Sequence, residues 1–342
     1  MKEMTEQGTE WRIYRNSAPP REYLNGWPLP APPWRSFPQP PADVVAEDPD
    51  GDFPPGFFYL ASQDVIDTVN VALRLRRPIL VTGAPGTGKT SLADSIAYEL
   101  RLGPVLPWLI TSRSTLAAGL YDYDVLGRLN DMNLAERATA GTLPIKPATD
   151  PGDIGRYITL GPLGDALLPR PRPRVLLIDE IDKSDIDLPG DLLHVFERGW
   201  YEIPELIRER QAEVRVRRTG GRDVLIRDGR VQCYEFPVVI LTSNEEREFP
   251  PAFKRRCLHV QLQPPTEKDL ITIAEHKLGG EPDRMLIRDF TRERGSDGRR
   301  LATDQLLYAL YLRMSAQGLD ETDFGRFRKI VLTPLNDMPP GD

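Results

Sequence analysis

Eight consecutive residues, Gly83-Ala84-Pro85-Gly86-Thr87-Gly88-Lys89-Thr90, place glycines, a lysine and a hydroxyl at the spacing GxxxxGK[ST]. The glycines let the backbone turn tightly, so that successive amides face a β-phosphate. Lys89 brings a mobile point charge to the β- and γ-phosphates, and Thr90 offers a hydroxyl suited to Mg²⁺. Alone, such a match is a turn like many others. Here the apolar run Pro78-Ile79-Leu80-Val81 predicts a strand before it, and Ser91 to Ala97 predicts a helix after it. Strand, glycine-rich loop and helix together turn the pattern into a phosphate site, with the helix N-terminus adding its positive end. The expected site runs from Gly83 through Ser91.

A second constellation follows the apolar run Val175-Leu176-Leu177-Ile178, which ends in Asp179 and Glu180. Side chains alternate along a strand, so the two carboxylates have different tasks. Asp179 suits a metal held through water, with Thr90, and Glu180 suits a base that polarises an attacking water. Leu241-Thr242-Ser243-Asn244 repeats the pattern of an apolar strand ending in polar groups. Asn244 either orients the lytic water or γ-phosphate, or is a plain strand cap. The doublet Arg255-Arg256 follows Pro250-Pro251-Ala252-Phe253. It reads either as a solvated helix surface or as an arginine supplied to a neighbour's γ-phosphate.

These residues need a scaffold, and the surrounding sequence supplies one. A helix packed on one face is expected over Ala61 to Arg74, strands over Val105 to Thr111, Arg174 to Asp179, Phe236 to Thr242 and Val260 to Leu262, and a helix over Asp191 to Arg198. Residues 113–170 are mixed, with short helical runs and Gly/Pro punctuation. Residues 212–236 alternate around Gly220-Gly221 and Asp228-Gly229, as small hairpins do. Helix is expected from Thr266, with a last helix near Thr303–Met314. Strands separated by helices, with a loop site after an early strand, predict an α/β fold with a parallel sheet. A small helical lid is expected beyond Gln263-Pro264-Pro265. The division is an N-terminal arm over 1–56, a nucleotide-binding domain over 57–263 and a lid and tail over 264–342.

Composition sets bounds. The 342 residues carry 40% hydrophobic and 28% charged side chains and a net charge of -7. This suits a globular protein and gives no bulk attraction to nucleic acid. Two cysteines, Cys233 and Cys257, fit a reduced cytoplasmic interior. The first ten residues are acidic and polar, without an apolar leader, and no stretch approaches a membrane span. The arm is rich in proline, with Trp27 and Trp34 among Pro28, Pro30, Pro32 and Pro33. It is either a disordered leader or an extended arm whose tryptophans anchor on a neighbouring subunit or on the chain's own body.

Taken together, residues 57–318 resemble an AAA+ ATPase, and more narrowly its MoxR-type branch. The resemblance rests on Leu177 to Asp185, Phe196 to Pro204, Tyr157 to Gly164, Thr111 to Thr115 and Leu120 to Asp124 beside the phosphate loop. It implies a P-loop NTPase core with a helical lid, binding ATP and Mg²⁺. It places Asn244 at the sensor-1 position and Arg256 at the arginine finger, with Arg255 the close second. Arg299 or Arg300 lies where the lid's sensor-2 arginine is expected. The resemblance further implies that insertions near 113–170 and 202–235 face the pore of a hexameric homo-oligomer and grip a client. The implied activity is chaperone-like remodelling of a protein partner, often one bearing a von Willebrand A domain. The arm is not part of the family core.

Two other functions compete. Arg208, Arg210, Arg215, Arg217, Arg218, Arg222, Arg227 and Arg230 suggest a nucleic-acid motor or the NTPase of a nuclease complex. Glu202, Glu205, Glu209, Glu213, Asp223 and Asp228 offset most of that charge. The third reading is a slow-hydrolysing switch that uses ATP to hold a ring together.

Overall fold

A computed structural model of the protein describes residues 11–16, 27, 29–38, 58–139, 153–219, 223–295, 301–315 and 321–332. In chain order the α-helices and strands before the C-terminal helices begin with α1 (Gln63–Leu75), β1 (Ile79–Thr82), α2 (Lys89–Glu99), β2 (Leu106–Leu109), α3 (Leu116–Leu120), β3 (Tyr121–Tyr123) and α4 (Val125–Thr139). Then come β4 (Ile158–Leu160), α5 (Pro162–Ala166), β5 (Val175–Asp179), α6 (Leu188–Arg198), β6 (Trp200–Glu202) and α7 (Pro204–Glu209). The series continues with β7 (Glu213–Arg217), β8 (Asp223–Arg227), β9 (Arg230–Gln232), β10 (Val238–Ser243), α8 (Pro251–Arg256) and β11 (Leu258–Gln261).

Five strands form a parallel sheet in the order β11-β1-β10-β5-β2. Its two faces follow the period-2 alternation of strand side chains. Ile79, Val81, Val175, Leu177, Val238 and Ile240 join one apolar cluster with α1 and α2. Leu80, Leu176, Ile178, Val239 and Leu241 join the other, with α5 and α6. Near-continuous apolar strands are what a sheet covered on both faces requires. The fold is a parallel α/β sheet covered on both faces, with a C-terminal helical region.

The expected hairpins are present, but the two inserted segments are not separate. Strands β3 and β4 from the first pair antiparallel, and β4 then meets β7 of the second through Thr159 and Arg217. The result is one six-stranded sheet in the order β3-β4-β7-β8-β9-β6. The reading of 113–170 as mixed, with short helical runs, did not identify β3 and β4. Each is three residues long and finds its partner far away in sequence, so local propensity carries little of the signal. A buried charge cluster also ties this sheet to α5. Asp165 accepts from Arg170 at 2.7 Å and from Arg218 at 3.1 Å, with all three side chains withdrawn from solvent. Asp228-Gly229 forms the expected tight turn, both residues having positive φ. Gly220-Gly221 lies outside the described residues.

The described parts of the arm lie on the chain's own body. Asn70 on α1 anchors Ile13 and Tyr14. Its Oδ1 accepts from the amides of Ile13 (2.7 Å) and Tyr14 (3.1 Å), and its Nδ2 donates to the Tyr14 carbonyl (2.7 Å). The Tyr14 hydroxyl pairs with Ser95 Oγ on α2 at 2.8 Å. The expectation gave the anchoring to tryptophans. Trp27 does anchor there, half-buried against the core cluster with Arg76 5.7 Å over its ring, whereas Trp34 is 77% exposed and Ile13, Tyr14 and Leu29 are the fully buried groups.

After Gln263-Pro264-Pro265 the chain turns helical. Among the described residues there are four helices here, α9 (Glu267–Leu278), α10 (Arg284–Gly295), α11 (Thr303–Ser315) and α12 (Glu321–Val331), with an apolar cluster of their own. Helix α12 corrects the expectation that α11 is the last. Its sequence places Gly325 among charged residues, which weakens the helical signal that Phe324 and its neighbours give. Among the described residues, no helix is long and apolar enough to cross a membrane.

Candidate functional site

Parallel strands deliver everything at their C-terminal ends to one edge of the sheet. Adjacent β1, β10 and β5 therefore bring the glycine-rich loop, Asn244 and the Asp179-Glu180 pair side by side. The register makes this concrete: Thr82 stands opposite Ser243, and Leu241 opposite Ile178.

Within the loop, Gly83, Gly86 and Gly88 all have positive φ, at 148°, 74° and 86°. Gly86 is required twice. A Cβ there would lie 2.5 Å from Ala302 Cβ and 2.7 Å from its Cα, because the segment leading into α11 rests on the loop. The close approach brings the helical region against the loop.

Lys89, the first residue of α2, is buried, and its ammonium donates to Gly83 O (2.7 Å), Ala84 O (3.1 Å) and Asn244 Oδ1 (2.7 Å). Burial pushes its pKa below the usual lysine value, and Asp182, Asp179, Glu180 and Glu245 oppose that shift. Thr90 Oγ1 lies 3.3 Å from Asp179 Oδ1. Thr87 folds back to donate to Ala84 O at 2.9 Å. Pro85 and Ser91 are half-buried beside these groups.

Asp179 and Glu180 part company as strand alternation requires, and by a sharper device. Glu180 takes a left-handed conformation (φ 58°, ψ 47°), a strain of about 1–3 kcal/mol for a residue with a side chain. Thr242 holds the bend, its hydroxyl donating to Asp179 and accepting from the Glu180 amide at 2.9 Å. Lys183 then reaches back to Glu180 Oε2 at 2.7 Å, and that bond raises the lysine's pKa. Asp182 Oδ2 accepts from the amides of Asn244 (2.9 Å) and Glu246 (3.2 Å).

The structure thus brings together Lys89, Thr90, Asp179, Glu180 and Asn244. The arginines stand elsewhere. Arg255 and Arg256 end α8, where Arg255 is exposed and Arg256 pairs with Glu197 of α6. Arg299 and Arg300 lie outside the described residues. Sequence reasoning missed Thr242, Asp182, Lys183 and Glu197. All four sat inside stretches already singled out, Asp182 and Lys183 just after Glu180, Glu197 in Phe196 to Pro204, and Thr242 in Leu241 to Asn244. Thr242 stood two residues before Asn244, where strand register alone would have set it beside Asp179.

The family model for the AAA domain of the dynein-related subfamily matches residues 78–257, and the chain belongs to that family. The match spans the loop, both carboxylates, Asn244 and the Arg255-Arg256 doublet. No curated protein matches the chain. Nucleotide binding and hydrolysis are the activities this domain carries.

Proposed function

We propose that the chain is a MoxR-type ATPase subunit that hydrolyses ATP with Mg²⁺ within a homo-oligomeric ring, six-membered by family resemblance, and remodels a protein client. The carrying observation is the meeting of Lys89, Thr90, Asp179, Glu180 and Asn244 at one sheet edge. In this reading the amides of Gly83 to Ser91 and Lys89 hold the phosphates. Thr90 and Asp179 offer a hydroxyl and a carboxylate at 3.3 Å, oxygen donors that fit a hard cation. Bound there, Mg²⁺ neutralises charge on the phosphates. Glu180 takes the proton of the water that attacks the γ-phosphorus, and Asn244 orients that water. Arg256, or Arg255, completes a neighbour's site, and Arg299 or Arg300 contributes from the lid. The domain division at about 57 and 264 belongs to the same proposal. AAA domains commonly form oligomeric rings, which supports the assembly.

The client side rests on the inserted sheet. Helix α4, between β3 and β4, exposes Val125, Leu126, Leu129 and Met132, with Leu126 78% exposed. Such apolar residues at helical spacing favour contact with a protein chain. They do not favour a nucleic-acid backbone. Several of the insertion's arginines are also engaged: Arg218 with buried Asp165, Arg227 with Glu213 at 2.8 Å, and Arg230 over Trp200 at 4.0 Å. The client's class, including a von Willebrand A domain protein, follows from the resemblance, and a cytoplasmic location from the two unpaired cysteines.

Affinity capture with Glu180→Gln and Mg²⁺-ATP tests the reading. A hydrolysis-blocked ring should retain a partner that stimulates the wild-type ATPase when added back. Stimulation by DNA with salt-sensitive binding would instead favour the nucleic-acid motor. Full cellular function in Glu180→Gln would favour the assembly switch.

A further inference from the structure

The turn after Glu180 carries a buried carboxylate that the reaction scheme above leaves without a task. Asp182 is 6% exposed. Its Oδ2 accepts from the amides of Asn244 and Glu246, on either side of Glu245, which has φ +62°. The amide of Glu245 itself turns to Ser243 Oγ at 2.9 Å. The loop leaving β10 is therefore pinned at three successive amides, two of them by one carboxylate. The outcome of the pinning is the Asn244 side chain, aimed so that Oδ1 meets Lys89 at 2.7 Å.

Fold stability alone explains this poorly. Glu245 and Glu246 are exposed, so solvent is close to this loop as an alternative partner for its amides. Meanwhile Asp182 Oδ1 is buried with no hydrogen-bond partner among the described residues, a costly arrangement for a group needed only as a cap. A buried carboxylate that fixes two amides does something a hydrated loop cannot: it leaves one conformation for the intervening side chain.

We propose that Asp182 is a positioning residue, which sets Asn244 against Lys89 and the phosphate loop. The inference rests on the reading of Asn244 as the residue that orients the lytic water. Asp182 sits in the turn Ile181–Lys183, whose third residue also holds Glu180. One short turn thereby fixes both groups that face the attacking water.

The test uses the full chain and two readouts: hydrogen exchange at the amides of Asn244 and Glu246, and ATP turnover with nucleotide affinity. In Asp182→Ala, exchange at both amides should rise at least tenfold. The kcat should fall tenfold or more while affinity for a fluorescent ATP analogue changes less than threefold. Added to Asn244→Ala, the same substitution should lower kcat no further. Asp182→Asn keeps a carbonyl for both amides and should restore protection and most of the turnover. Should Asp182→Ala not fold, Asp182→Ser, too short to span both amides, takes its place. Unchanged exchange in the Ala or Ser variant, equal losses in the Asn variant, or additive losses with Asn244→Ala would each overturn the proposal. Faster exchange with full turnover in both Asp182→Ala and Asn244→Ala would leave the positioning in place and sink the reading of Asn244.

Discussion

Arg256 is engaged within its own chain: its Nε donates to the Glu197 carboxylate on α6. Both groups are substantially exposed, so the pair contributes little to folding. It does fix where the guanidinium points. An arginine that completes a neighbour's site must leave Glu197 first. Arg256→Ala should keep folding and nucleotide affinity and lower turnover of the assembled protein by roughly 10³-fold or more. Glu197→Gln should raise turnover severalfold at protein concentrations where assembly is partial. ATPase assays across a concentration series check both, and full turnover in Arg256→Ala would move the role to Arg255 or elsewhere.

The Lys89 ammonium is shared by the loop carbonyls and Asn244. Lys89→Ala removes the charge that meets the phosphates while leaving the strand and helix around it intact. The expected result is a loss of most ATP binding, measured by calorimetry, with a melting temperature close to wild type. Unchanged affinity would refute the site.

Gly86 meets the residues at the head of α11 at a distance no side chain permits. Gly86→Ala combines left-handed strain with a backbone clash at Ala302. It should destabilise the protein by about 1–3 kcal/mol in urea denaturation and weaken nucleotide binding as the helical region lifts. A variant as stable as wild type would show that the contact between loop and helical region does not hold in solution.

Asn70 holds Ile13 and Tyr14 through three hydrogen bonds, beside the Arg12–Asp67 pair and the bonds from Arg74 to Trp11 O and from the Arg15 amide to Glu99. Asn70→Leu preserves volume but strips the amides of Ile13 and Tyr14 and the Tyr14 carbonyl of their partner. A buried group left so costs about 1–3 kcal/mol. Tryptic cleavage after Arg12 and Arg15 should accelerate accordingly, as followed by mass spectrometry. Cleavage at the wild-type rate would mean that the arm is held by other contacts.

Both cysteines are buried, and burial raises the Cys257 thiol to about 12 and lifts Cys233 as well. At pH 8 the reactive thiolate of Cys257 is then roughly one part in 10⁴ of the total. Neither residue should react with iodoacetamide until the protein is unfolded in urea. Rapid alkylation of the native protein would contradict the packing.

How much of this was legible beforehand depended on the range of the signal. The loop from Gly83 to Thr90 and the ends of β5 and β10 stood out because each is a local pattern, an apolar run closed by polar residues. That Lys89 would touch Asn244, 155 positions away, followed once β1 and β10 were neighbours. The fate of Glu197 did not follow, since an ion pair between two helix surfaces leaves no periodic trace. Strands β3 and β4 were hidden for a related reason, being too short to declare themselves without the partners that complete their ladder. Asn70 was overlooked because a polar residue in a helix ordinarily faces water. Nothing in Val69-Asn70-Val71 announces that a distant peptide will use its amide as a strand would.

The shared ladder between the two inserted segments has an evolutionary and practical corollary. Excising or transplanting one alone would strip the Thr159–Arg217 junction of its partner and leave the charge cluster of Asp165 and Arg218 incomplete. Chimeras that exchange these segments should succeed only when both travel together, along with the Asp165 helix that clasps them.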